Sequence, residues 1–187
     1  MNELLVLMAS FLIDGDKLAV TYSVTNYSPA LIYLSNLEVR IDQGSGPIPD
    51  PSIAFVYFEK GVVHITKRKP PMPKDKLYTP IPYYVTPLKP GETFKESFSL
   101  PLPLKQEVPY KKIETAGRAS KLREVYLTLG YFESNPAIEA AGLTRGGRKV
   151  YILRPSAALK KGQAANQPAV EKFLSSEKLG LEIPVLE

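Results

Sequence analysis

The sequence predicts an all-β protein, an antiparallel sandwich with long proline-rich and basic loops and one or two short helices. Three observations predict it. Several segments alternate apolar and polar residues with the period of two that a pleated strand imposes. Between them stand clusters of Gly, Pro, Asn and Asp, the residues that make turns. The spacing follows no fixed repeat, which separates the chain from propellers and solenoids. A length of 187 residues, with 44% hydrophobic, suits a single domain over 1–187 with a core of its own.

Leu4 to Ile13 is an unbroken run of apolar and small residues. Glu3 precedes it where a signal peptide carries Lys or Arg, no small-residue cleavage pattern follows, and the run is too short to cross a bilayer. It is expected to be a buried first strand. An exported chain with its signal removed would read the same, so periplasmic and cytoplasmic locations both stay open. Asp14-Gly15-Asp16 tolerates positive φ and should turn the chain into a hairpin with Lys17 to Asn26. There Leu18, Val20, Tyr22 and Val24 alternate with Ala19, Thr21, Ser23 and Thr25. After a turn from Asn26 to Ala30, Leu31 to Ile41 alternates again; Gln43 to Ser52 reads as a loop, and Ile53 to Glu59 and Val62 to Thr66 as strands about Gly61.

Thirteen of the 18 prolines fall between Pro47 and Pro109. Proline removes a ladder donor, so the Pro/Tyr-rich region 67–123 is expected to be irregular, made of extended edges and excursions. Within it Gly91 to Leu100 is strand-like, with Phe94, Phe98 and Leu100 on one face. Val125 to Phe132 is apolar on both faces and should be central. Residues 133–178 read as a loop and helix insertion. Asn135-Pro136 to Gly142 places Pro at a helix start and Gly at its end, and Gln167 to Ser176 would present Val170, Phe173 and Leu174 from a second helix. Lys149 to Leu153 is a short strand, and Leu179, Leu181, Ile183 and Val185 alternate through the last one.

Two stretches resemble bacterial immunoglobulin-like modules. Val20 to Ser28 looks like their second strand with its Asn-containing turn, and Leu88-Lys89-Pro90-Gly91-Glu92 leading into Phe94 to Phe98 is similar to their turn-plus-strand. The second stretch is also partly similar to the intracellular proteinase inhibitor family, although this chain has no Trp to match the tryptophan-bearing centre of that family. The longer pattern through Pro87-Leu88, Leu100 to Leu104, Pro109-Tyr110 and Leu129-Gly130-Tyr131 resembles a group of bacterial proteins of unassigned activity. The resemblance implies an immunoglobulin-like sandwich, with inhibitor-like binding as one function.

Chemistry is narrowed by what is missing. Without cysteine there is no disulfide, thiol nucleophile or thiolate metal site. His64 is the only histidine, no Gly-x-Ser-x-Gly elbow accompanies it, and it alternates with apolar neighbours as a structural strand residue does. Arg145-Gly146-Gly147-Arg148-Lys149 lacks the spacing of a phosphate loop. Asp14 and Asp16 suit a turn, and Asn26-Tyr27-Ser28 fits the N-glycosylation acceptor pattern. We therefore expect no catalytic residue, metal ligand or cofactor, and no enzyme.

Recognition remains, in two forms. Tyr78, Tyr83, Tyr84 and Tyr110 stand among the prolines and would bring contact area at low entropic cost, which points to a protein partner. Arg145, Arg148, Lys149 and Arg154 form a basic group with no acid between Arg145 and Lys161, in a chain with net charge +5. With Lys67, Arg68, Lys69 and Lys74 in one proline loop and Lys105, Lys111, Lys112, Arg118, Lys121 and Arg123 in the next irregular stretch, they could attract an anionic polymer or a membrane surface. The first expectation is a non-catalytic protein-binding or structural accessory module, the alternative an anion-binding module for nucleic acid, acidic polysaccharide or lipid headgroups.

Overall fold

A computed structural model describes residues 4–42, 46–68, 83–107, 117–145, 147–156 and 170–186. In chain order its strands are β1 (Leu5–Asp14), β2 (Lys17–Asn26), β3 (Ile32–Asp42), β4 (Gly46–Asp50), β5 (Phe55–Glu59), β6 (Val62–Lys67) and β7 (Tyr83–Leu88). They continue as β8 (Thr93–Pro101), β9 (Leu104–Lys105), β10 (Ala119–Glu133), β11 (Ile138–Arg145), β12 (Arg148–Pro155), β13 (Lys172–Ser175) and β14 (Leu179–Leu186). Among the described residues there is no helix.

The strands form a three-stranded sheet, β1-β2-β8, and an eleven-stranded sheet in which β10 is the hub. Val125 pairs with both Leu179 of β14 and Val63 of β6, so those strands lie on opposite edges of β10. Further along, Gly130 pairs with both Ser35 of β3 and Phe173 of β13. The β6–β10 and β9–β14 pairs are parallel, so the larger sheet is mixed where an antiparallel one was expected. The sheets meet face to face. Leu18, Val20, Phe98 and Leu100 of the small sheet share one core cluster with Val63, Ile65, Leu127 and Ile183 of the large one. A second cluster, around Tyr33, Val85 and Phe132, lies on the large sheet under β11 and β12. The architecture is all-β and sandwich-like.

Local chemistry explains the turns. Gly15 supplies φ of 58° between the closing pair Asp14 and Lys17, and Lys60 and Gly61 both take positive φ between Glu59 and Val62, as a two-residue hairpin requires. Asn26 is wholly buried and ties the sheets together. Its Nδ2 donates to the carbonyls of Ala30 at 2.8 Å and Leu88 at 3.0 Å, while Oδ1 accepts from the N–H and hydroxyl of Ser28. The acceptor pattern at Asn26 thus holds an amide already committed to the interior.

Several expectations are corrected. The segment expected as a helix from 136 to 142 runs into β11, which begins at Ile138 and pairs antiparallel with β12 up to Arg145 and Arg148. Asn135 caps a turn there, accepting from the Ala137 N–H at 2.8 Å. In the second expected helix, residues 172–175 are β13, since Phe173 and Leu174 face opposite ways against β10, and residues 167–169 lie outside the described part. Residues 46–50, read as loop, form β4 on the edge of β3. The proline-rich region contains β7, β8 and β9, and β10 begins inside it at Ala119. Prolines 49, 87 and 101 are accommodated within strands.

Candidate functional site

The tyrosines expected at a contact surface divide. Tyr78 and Tyr110 lie outside the described residues. Tyr84 is buried, with 3% exposure, opposite Ile152 and Leu37, so it cannot serve as surface; β7 is an inner strand, and Tyr84 faces into the molecule. Tyr83, on the other face, sets its ring edge-on to Phe132 at 4.9 Å and packs against the second cluster. Together they line a strand in the sheet, not an exposed patch.

The basic residues divide too. Arg145 and Arg148 are the closing pair of the β11–β12 hairpin, with exposed Lys149 beside them, its ammonium 5.5 Å from the Tyr151 ring centroid. Arg154 is at the far end of that hairpin, roughly 20 Å away at strand rise, and its guanidinium meets Glu139 at 2.8 Å. The acid missing near Arg154 in sequence arrives from the neighbouring strand. Lys121 and Arg123 share Glu182 at 3.4 and 3.9 Å. Arg68 covers the Phe173 ring at 4.8 Å.

Lys67 is corrected most. Expected in a basic loop, it ends β6 on the core face with no side-chain exposure. Its ammonium contacts Glu96 Oε2 at 2.5 Å and the Pro51 carbonyl at 2.5 Å, over the Phe98 ring at 4.7 Å. Tyr22 donates its hydroxyl to the same carboxylate at 2.5 Å. Burial pushes the Lys67 ammonium below the ordinary lysine range, against the pull of Glu96, and pushes the Tyr22 phenol well up. Both charges were legible as exceptions: Glu96 shares the parity of Phe94 and Phe98, and Lys67 that of Val63 and Ile65. The amine is sealed from solvent, so this is an internal pair across the two sheets.

On the outer face of the large sheet, Tyr57, His64 and Tyr126 stand in register across β5, β6 and β10. Tyr57 stacks on the imidazole at 4.4 Å and the Tyr126 hydroxyl bonds to Nδ1. Burial lowers the His64 pKa. Among the described residues no three His, Asp or Glu side chains converge.

One recess was not anticipated. A groove of about 1060 Å³ opens between the edge of β1 and the strands β13 and β14, lined by Leu5, Leu7 and Ala9 on one side and Leu174 and Leu179 on the other. Among the described residues β1, expected as a buried strand, is an edge strand packed on one face only. Residues 5, 7, 9, 11 and 13 point to the core; Leu4, Met8 and Leu12 are 57%, 67% and 65% exposed. Elsewhere the outer face of this sheet is polar: Thr21 bonds Ser97, Thr25 bonds Thr93, and Ser23 and Lys95 lie between. The apolar surface is confined to the open edge. Phe173, 59% exposed, stands across the groove.

Comparison with protein-family models, with characterised proteins and with solved structures finds no match for the chain.

Proposed function

We propose that the chain is a non-catalytic protein-binding module whose contact surface is the β1 edge and the groove beside it. The observation that carries this is a ten-residue edge strand with apolar side chains on both faces and no strand on its outer side among the described residues. Such an edge is an open template for pairing, and sheets that stay unpartnered blunt theirs with Lys, Pro or a bulge. β1 has none of these. The proposed immunoglobulin-like character fits the same use, because the Asn26 turn and the β8 turn-plus-strand that carry the resemblance fix the sheet that β1 terminates. The anion-binding alternative has less support, since Lys67, Lys121, Arg123 and Arg154 all have acidic partners.

A photo-crosslinking amino acid placed at Met8, at Lys95 and at Lys149 in source cells tests the surface. We expect protein adducts at Met8 and none at Lys95. Adducts at Lys149 alone, or none at Met8, would overturn the assignment.

A further inference from the structure

We propose that the partner of the β1 edge is a second copy of this chain, paired antiparallel about a two-fold axis at Ala9. This rests on the reading of β1 as the contact surface and names what covers it. The backbone phase is set by the hairpin. Tyr27 N–H donates to the Leu4 carbonyl at 2.8 Å, and hydrogen-bonded pairs alternate from there to the closing pair Asp14 and Lys17. Even-numbered residues therefore bond to β2, and the N–H and C=O groups of Leu5, Leu7, Ala9, Phe11 and Ile13 point to the open edge.

That edge is complementary to itself. With the axis at Ala9, Leu7 faces Phe11 of the second copy and Leu5 faces Ile13, each pair exchanging two backbone hydrogen bonds and adding apolar cover over the groove. On the outer face, Val6 meets Leu12 and Met8 meets Ser10. The smallest side chain of the inner row sits on the axis, where the two copies come closest. No charged residue occurs from Leu4 to Ile13, and Asp14 falls opposite Leu4, so no like charges oppose although each copy carries +5. The product is a continuous six-stranded sheet, β8-β2-β1 followed by its mirror order, a closed two-fold assembly that leaves no β1 edge open.

Because the chain has no cysteine, single substitutions report the register cleanly. Ala9→Cys places two thiols across the axis with Cα atoms about 5.5 Å apart, within disulfide reach. In Leu12→Cys the symmetry mates are six positions apart, about 20 Å, and cannot bridge. We expect Ala9→Cys to form a dimer under mild oxidation at least about tenfold faster than Leu12→Cys. Ala9→Pro removes an N–H that points to the open edge while keeping the β1–β2 ladder, and should sediment as a monomer with an unchanged circular dichroism spectrum. Equal cross-linking rates, or a wild-type chain that sediments as a monomer at every concentration, would overturn the second copy. If Met8 then still yields adducts with a different protein, the surface stands and only this occupant falls; no adducts at all sink both.

Discussion

Replacing Glu96 with Gln removes the counter-charge of Lys67 and leaves an ammonium group without access to water. At 2.5 Å and an effective dielectric near 20, the attraction between the two charges is about 7 kcal/mol. Desolvation of each ion costs several kcal/mol, so the intact pair sits close to balance and the broken pair does not. We expect Glu96→Gln to destabilise the protein by about 3–5 kcal/mol. The Lys67→Met change is milder, because Glu96 keeps 12% exposure and the Tyr22 hydroxyl, and Met replaces the aliphatic stem; about 1–2 kcal/mol is expected. In the double variant no charge is left in the interior, and it should be more stable than Glu96→Gln alone. Urea denaturation of the four proteins measures each corner of the cycle, with midpoints moving and slopes constant. The reasoning is refuted if Glu96→Gln costs no more than Lys67→Met, since Lys67 would then have found solvent or another acceptor.

The remaining predictions concern the tie, the histidine and the basic tip. Asn26→Ala removes the buried amide donor to the carbonyls of Ala30 and Leu88 and the acceptor of the Ser28 N–H, and a loss of about 2–3 kcal/mol is expected in thermal unfolding. His64 has its folded pKa lowered by burial among Tyr57 and Tyr126, against the nearby Glu59. The unfolded chain therefore takes up the proton first: the contribution is full above the ordinary value of 6.5 and is lost as pH falls toward the lowered folded one. His64→Gln should remove that part of the stability–pH slope, and an unchanged slope would show that His64 is not its source. Arg145→Ala with Lys149→Ala should alter stability by less than about 0.5 kcal/mol and leave Met8 cross-links intact; loss of those adducts would bring the hairpin tip into the contact surface.

Strand identity was legible where alternation met a polar outer face. The bounds of β2 follow directly from Leu18, Val20, Tyr22 and Val24, because each inward residue has a polar neighbour to mark the other side. Residues 136–142 misled because Pro and Gly at helix-cap spacing are weak local signals, and pairing with β12 outweighs them. The internal ion pair was written as parity, a lone Glu and a lone Lys on core faces of strands that meet only in the fold. Lys67 could be counted as a loop cation only while β6 was ended one residue early, at Thr66. The groove was hidden for the opposite reason. An unbroken apolar run, Leu4 to Ile13, satisfies two-sided burial, and nothing local distinguishes a strand buried by its own chain from one that awaits a partner. Only topology separates them, by giving β1 a single neighbour among the described strands. The apolar residues on its outer face then become informative: Met8 and Leu12 sit opposite Ser23 and Ala19 in a sheet whose outer side is otherwise Thr, Ser and Lys. A surface that needed only solubility would continue that polar pattern to the edge; one that pairs would stop it at the last strand, as β1 does.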